Sequence, residues 1–294
     1  MQAIVPPDGA LRNLGRTLSQ DVNNLRRWHK SKEKHTADIA RLRRFKGVGR
    51  QRPILLVGNG PSSASLPEDF VTTFRNAGGH VMAMNFAHLN PALVGQGFDY
   101  YVSADRRLVA ETDRAKELRR VLGHQRLIAA FVPEIRVQDW RNAAPTVDFY
   151  PFCRVHVRYL RAPHWGFSPL YPKAFEAHTG LHSLQMACWM GYERIYVIGL
   201  DNSYVTEVKP GLGQAKQQVV SYAGNQQVST SRNEDTVSYL RRQTRLFQDY
   251  WRFSQKPVFN LAPFSLTDCF PFITAAEALE ANREPETYKR RSSK

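Results

Sequence analysis

Acidic residues are in short supply in this 294-residue chain: 26 Asp and Glu face 41 Lys and Arg, a formal charge of +15. Cysteine is scarcer still. Cys153, Cys188 and Cys269 form no C-x-x-C pair and cannot all pair within one chain, so neither a disulfide scaffold nor a cysteine-rich zinc module is encoded, and a reduced, cytoplasmic compartment is expected. No run approaches the roughly 18 apolar residues of a spanning helix. The first residues, MQAIVPPDGALRNLG, lack a basic start followed by an apolar run, which excludes a secretory signal in that stretch. There is no G-x-x-x-x-G-K-[ST] phosphate loop, and no zinc, helix-turn-helix or RNA-binding signature accompanies the positive charge, so nucleic acid is not the expected partner. What remains is a chain with 42% apolar residues, 16 Phe, 12 Tyr and 5 Trp, enough for a sizeable core.

The charge is unevenly placed. Residues 1–52 hold 13 Lys/Arg and 4 Asp/Glu, a balance of +9, which leaves +6 for the other 242 residues. Within this basic segment Leu11, Leu14, Leu18, Val22, Leu25 and Trp28 recur three or four apart, an apolar helical stripe, with Arg12, Arg16, Arg26 and Arg27 off it. Ile39, Leu42 and Phe45 form a second run among Arg41, Arg43, Arg44 and Lys46. Charge runs are usually solvated faces, so the first reading is a helical arm packed on the domain or a second subunit. The alternative is peripheral contact of residues 11–46 with an anionic membrane.

From Pro53 onward strand and helix patterns alternate. Strands are predicted at 54–57, 81–86, 100–103, 126–132, 146–152, 194–198 and 257–261. Helices are predicted at 67–75, 106–122, 181–190, 236–253 and 275–282. Residues 161–172 read as a loop. Residues 205–234, polar and with little periodicity, read as a lid or insertion. Alternation of this kind implies parallel pairing through crossovers, hence an α/β, doubly wound, Rossmann-like sheet with a helical N-terminal extension. The organisation expected is a basic helical segment at 1–52, a nucleotide-binding domain at 53–271 with its lid at about 205–234, and a C-terminal helix and basic tail at 272–294.

In such sheets ligands bind beyond the carboxyl ends of the strands. After the first strand comes Gly58-Asn59-Gly60-Pro61-Ser62, whose glycines let backbone approach a phosphate or simply allow a tight turn; Ser63 stands where a dinucleotide fingerprint has its third glycine. After the second strand comes Asn85, where a dehydrogenase usually carries Asp or Glu, which speaks against NAD. Asp105 follows the third, beside Arg106 and Arg107. Gly199-Leu200-Asp201-Asn202-Ser203-Tyr204 follows the strand at 194–198; its carboxylate suits ribose, Mg²⁺, proton transfer or a local cap. His178-Thr179-Gly180-Leu181-His182 opens a helix with Thr179 as N-cap, a position that favours an anion. His178 and His182 share a face but lack the partners of a zinc site.

Taken together, GNGPS, Asn85, Asp105, H-T-G-L-H leading into M-G-Y-E-R-I-Y-V-I-G-L-D, and F-N-L-A-P resemble the bacterial sialyltransferases of glycosyltransferase family 42. They resemble still more a broader bacterial group labelled hydroxymethylpterin-diphosphokinase-like, which includes flagellin and surface-polysaccharide glycosyltransferases. The resemblance spans about residues 53–271. It implies transfer of a nonulosonic (sialic-acid-like) sugar from a CMP-activated donor to a polysaccharide or glycoprotein acceptor, with no required cofactor. It places Gly58, Asn59, Gly60, Pro61 and Ser62 at the nucleotide phosphate and Asn85 on the donor. Thr179 and Gly180 would receive the donor's sugar, Gly199 and Asp201 would lie near the ribose, and Tyr204 and Tyr222 would serve the phosphate.

Two departures stand out. The sialyltransferases carry Asn where this chain has Asp105, and their catalytic H-S-K-N aligns with Thr230-Ser231-Arg232-Asn233, while residues 205–260 contain no His. The base must then be Asp105, Asp201, His178 or Asp235, or the chain is a catalytically impaired nucleotide-binding homologue. A further alternative is an ATP- and Mg-dependent pyrophosphokinase-like enzyme with Asp105 and Asp201 on the metal. Related transferases are often oligomers, which makes a homo-oligomer an expectation.

Overall fold

The computed structural model describes residues 8–87, 90, 93, 95–105, 108, 113–124, 127–153, 169, 178–201, 205–210, 216–222, 226–232, 244–249, 256–263 and 269–283, with backbone only for 8–17, 114, 115, 124 and the strands between 205 and 232. Seven strands form one parallel sheet: β1 (Pro53–Val57), β2 (His80–Met84), β3 (Tyr100–Val102), β4 (Ala129–Pro133), β5 (Phe149–Phe152), β6 (Arg194–Ile198) and, last in the chain, β10 (Val258–Asn260). The spatial order is β10-β6-β1-β2-β3-β4-β5. β1 pairs with β2 on one side (Ile54 with His80) and with β6 on the other (Ile54 with Ile195). The chain therefore walks outward from β1 to β5, then returns to lay β6 on the opposite flank of β1. Strand order reverses between β1 and β6, and the crevice there, at the carboxyl ends, is where a fold of this kind accommodates a ligand.

Both sheet faces are covered, as near-continuous apolar strands such as PILLV and RIYVI require. Helices α3 (Phe70–Asn76), α4 (Asp113–His124), α5 (Val137–Ala143) and α7 (Ala275–Arg283) lie on one face, where Phe70, Phe74, Leu118, Leu122, Trp140 and Ala278 meet Leu55, Val57, Tyr101 and Ile198. Helix α6 (Thr179–Trp189) covers the other, with Leu181 and Leu184 against Ile54, Leu56, Met82 and Val197. Every residue of α6 from Gly180 to Trp189 is buried. It ends where the sequence says it should: Gly191 at φ 86° lets Tyr192 N–H reach back to Ala187 O at 3.2 Å, a left-handed helix stop.

The basic segment forms α1 (Asp8–Lys34) and α2 (Thr36–Leu42). Leu42 and Phe45 enter the core, Phe45 edge-on to Phe131 and Tyr150 at centroid distances of 5.5 and 5.0 Å. α2 is clamped to the edge of the sheet by Arg141 donating to Asp38 at 2.6 Å and Arg41 donating to Asp148 at 2.9 Å. Among the described side chains of the α1 stripe, Trp28 alone is covered within this chain. Leu18, Val22 and Leu25 are exposed; Asp21 and His35 are buried instead, with Asn24, Trp28 and Ser31 half-buried between them. Among the described residues no helix is long and apolar enough to cross a membrane.

Two elements differ from their predicted form. Residues 205–232 hold a three-stranded antiparallel sheet, β7 (Val205–Pro210), β8 (Lys216–Tyr222) and β9 (Gln226–Arg232). Its ladder of backbone hydrogen bonds holds polar sequence that carries no apolar period. α5 forms where no helix is expected, although Val137, Trp140 and Ala144 have helical spacing and are buried. The predicted loop at 161–172, apart from Pro169, and Arg106, Arg107, Asn202, Ser203, Tyr204, Asp235 and the basic tail lie outside the described residues. So does most of the helix at 236–253, of which 244–249 is helical.

Candidate functional site

The turn after β1 and the turn after β6 are locked together. Gly58 N–H donates to Ile198 O and Gly60 N–H to Gly199 O, both at 2.8 Å. Ser62 N–H donates to Asp201 Oδ2 at 2.8 Å, Ser62 Oγ donates to Asp201 Oδ1, and Gly199 N–H donates to Ser62 Oγ at 3.0 Å. The glycines are demanded by this approach. A Cβ on Gly58 would stand 2.3 Å from Gly199 O, and one on Gly60 2.5 Å from Asp201 Oδ2. Ser63 takes the third position of the motif because it is fully buried and its hydroxyl donates to Gly60 O at 2.6 Å, inside a 3-10 turn spanning Pro61–Ser65.

This changes what the turn can do. The amides of Gly58, Gly60 and Ser62, expected to cradle a phosphate, are spent within the protein. Asp201 is buried, which pushes its carboxyl above the ordinary carboxylate range; the two hydrogen bonds from Ser62 work against that rise. Both of its oxygens serve the turn. The amide oxygen of Asn59, in contrast, is buried without a hydrogen-bond partner.

A second network lies at the ends of β2 and β3. Asn85 takes φ 47°, a left-handed conformation that Asn tolerates better than most residues. Its backbone is held there by its own N–H donating to Val102 O at 3.1 Å and by Tyr101 OH donating to its carbonyl at 2.9 Å. Complete burial pushes the Tyr101 phenol well above its ordinary pKa, so it stays a donor. The Asn85 side chain bridges two elements: Nδ2 donates to Thr179 Oγ1 at 3.1 Å and Oδ1 accepts from Ser103 Oγ at 3.0 Å. Ser103 Oγ in turn accepts from Asp105 N–H at 3.2 Å.

Thr179 is therefore not the N-cap that its position predicts. His178 is, in extended conformation and without a capping side-chain bond, while the Thr179 hydroxyl is drawn to Asn85 and to Ala104 N–H at 3.4 Å. The first helical bond of α6 runs from His182 N–H to His178 O at 3.1 Å, so the amides of Thr179, Gly180 and Leu181 precede it and have no partner within the helix. A Cβ on Gly180 would meet Leu200 Cδ2 at 3.0 Å and the His178 ring at 3.1 Å, so this glycine joins the α6 start to the turn after β6. The His178 ring stands edge-on to Phe247 at 5.3 Å, and His182 packs on Phe152 at 4.5 Å, turning both histidines into core contacts.

Gly58–Ser62, Asn85, Asp105, Thr179–Gly180 and Gly199–Asp201 are thus brought to one rim of the sheet. Pro61 opens the 3-10 turn there. Tyr204 is outside the described residues, and Tyr222 is described only as the last backbone position of β8. Thr230–Arg232 lie in β9, paired with Lys216–Gln218. Among the described residues no three His, Cys, Asp or Glu side chains gather as metal ligands would.

No protein-family model matches the chain, and no curated protein sequence matches it. Among solved structures, the chain is similar to the MAf glycosyltransferase from Magnetospirillum magneticum AMB-1, with a TM-score of 0.46 and 13% identity over 80% of this chain. It spans 37% of that protein's length.

Proposed function

We propose that this protein is a glycosyltransferase that takes a nonulosonic sugar from a CMP-activated donor and passes it to a glycan or glycoprotein hydroxyl. The sequence resemblance supplies the reaction class. The observation that supports it is the meeting of Gly58–Ser62, Thr179–Gly180 and Gly199–Asp201 at the point where strand order reverses.

The residues divide the work as follows. The start of α6, with its forward amides and the positive end of the helix dipole, receives the donor phosphate. Asn59 Oδ1 accepts from a donor hydroxyl or amine. Asn85 and Thr179 hold each other and the α6 start in place. The acceptor oxygen attacks the anomeric carbon while the bond from that carbon to the phosphate oxygen breaks, and the electron pair leaves on CMP. Charge growing on the leaving phosphate is met by dipoles already oriented, with no reorganisation during reaction. The acceptor's proton needs a base. Asp201 is committed to Ser62; the base we assign is Asp105, half-buried at the end of β3 and joined to the site through its N–H on Ser103 Oγ.

The test is release of CMP from CMP-sialic acid and related CMP-nonulosonates, with and without glycan acceptors. CMP release is expected, with Asp105→Asn lowering kcat about 10²-fold or more and leaving donor binding in place. A folded protein that turns over no nucleotide sugar overturns the reading. Chelator-sensitive use of ATP with no affinity for CMP transfers the assignment to the pyrophosphokinase chemistry.

A further inference from the structure

α1 packs on the domain by the wrong side for an ordinary amphipathic arm. Among the described side chains of this segment the covered positions are Asp21, Asn24, Trp28, Ser31 and His35, a spacing of three and four that marks one face. Leu18, Val22 and Leu25 are 47%, 47% and 41% exposed. At 3.6 residues per turn their stripe lies about 100° around the helix from the covered face. Flanking the stripe are Arg26 and Lys30 on the side away from the domain and Lys32 on the other, all exposed; exposed His29 and Glu33, paired at 3.5 Å, lie on the same face, and Arg27 and Lys34 lie on the far side of the helix. Across α1 seven Lys/Arg stand against three Asp/Glu, and one of the three, Asp21, is buried.

We infer that this face of α1 is a docking surface for an anionic lipid bilayer, on which the helix lies with Leu18, Val22 and Leu25 in the acyl boundary and the flanking cations among the headgroups. Charge decides the occupant. A second copy of the chain would bring two helices of the same net sign together along their stripes. Nucleic acid would satisfy the cations but leave three aliphatic side chains against phosphate. An anionic interface satisfies both rows at once. The inference is independent of the transferase reading, since it needs only the surface of α1.

Vesicle flotation of the full-length protein tests it. Binding to phosphatidylcholine vesicles containing phosphatidylglycerol is expected, with none to phosphatidylcholine alone and a steep fall with salt. Changing Leu18, Val22 and Leu25 together to Ser should weaken vesicle binding at least tenfold while leaving the circular dichroism spectrum and CMP affinity unchanged, because these side chains are exposed. Arg26→Gln with Lys30→Gln should cost about fivefold per cation. Equal binding to neutral vesicles, or undiminished binding by the triple Ser variant, overturns the inference. So does a dimer, seen by light scattering, that the triple variant dissolves, and so does a preference for DNA or RNA over the anionic vesicles.

Discussion

Ser62 holds Asp201 at two points, its backbone N–H on one carboxylate oxygen at 2.8 Å and its hydroxyl on the other, while the same hydroxyl accepts from Gly199 N–H at 3.0 Å. One side chain thereby joins the ends of β1 and β6 across the site where the donor is expected. Ser62→Ala strands both the Asp201 oxygen and the Gly199 amide in a buried place. A loss of about 3 kcal/mol in unfolding free energy is expected from chemical denaturation, since each unsatisfied buried group costs about 1–3 kcal/mol. Ser62→Thr, which keeps the hydroxyl, should recover most of it. Equal stability of Ser62→Ala and the parent would remove the clasp from the account.

Gly58 and Gly95 make opposite demands of a methyl group. At Gly58 an added Cβ meets Gly199 O at 2.3 Å, whereas at Gly95, φ 78°, nothing lies within 4 Å. Gly95→Ala should cost only its backbone strain, about 1–2 kcal/mol. Gly58→Ala must separate two strand ends and should fail to accumulate as folded protein. Comparable melting temperatures for the two variants would contradict the close approach.

These turns were largely legible in the sequence. Two glycine turns after apolar strands announce where backbones approach, and the order of strands and helices fixes a parallel sheet. What the sequence could not reveal is how the hydrogen-bonding groups are spent. The Gly58 and Gly60 amides look free on paper and are consumed by Ile198 and Gly199; Asp201 looks like a base and is consumed by Ser62. Thr179 reads as an N-cap, because caps are judged locally, yet its hydroxyl is claimed by Asn85, 94 positions away. The α1 stripe is a related case: periodicity reports an apolar face but not what that face is turned toward.

Asp38 supplies a pH-dependent term. Burial pushes its carboxyl upward, but the hydrogen bond and charge of Arg141, helped by His35, outweigh it and leave the group below its ordinary 3.8. A lowered carboxyl contributes its full stability above the unfolded-state value and loses it as pH falls through the folded one. Arg141→Leu should therefore cost about 1 kcal/mol at neutral pH, a modest figure because Arg141 is partly exposed to solvent screening. The difference between variant and parent should narrow as the pH drops below about 4, leaving the share of the pH-independent bond from Arg141 to Phe149 O at 3.0 Å. A difference that persists undiminished in acid would assign the whole cost to packing of the arginine stem and the bond to Phe149 O.

Asn85 and Thr179 are expected to act as a unit. Thr179→Val removes the acceptor for Asn85 Nδ2 and frees the α6 start; Asn85→Ala removes the bridge and also places Ala at φ 47°. Each single variant should lose stability, and the double variant should lose less than their sum, because either change alone breaks the shared bond. Strict additivity in denaturant unfolding would show that the 3.1 Å contact carries no energy.

The central claim is that the rim between β1 and β6 binds a nucleotide through the α6 start and Asn59. Isothermal titration of the folded protein with CMP tests it most directly, with Asn59→Ala and Thr179→Val titrated alongside. Saturable one-site binding of CMP is expected, weakened about tenfold in each variant, as the loss of one ligand-facing or positioning hydrogen bond implies. Absence of CMP binding, or binding that both variants leave untouched, would contradict it.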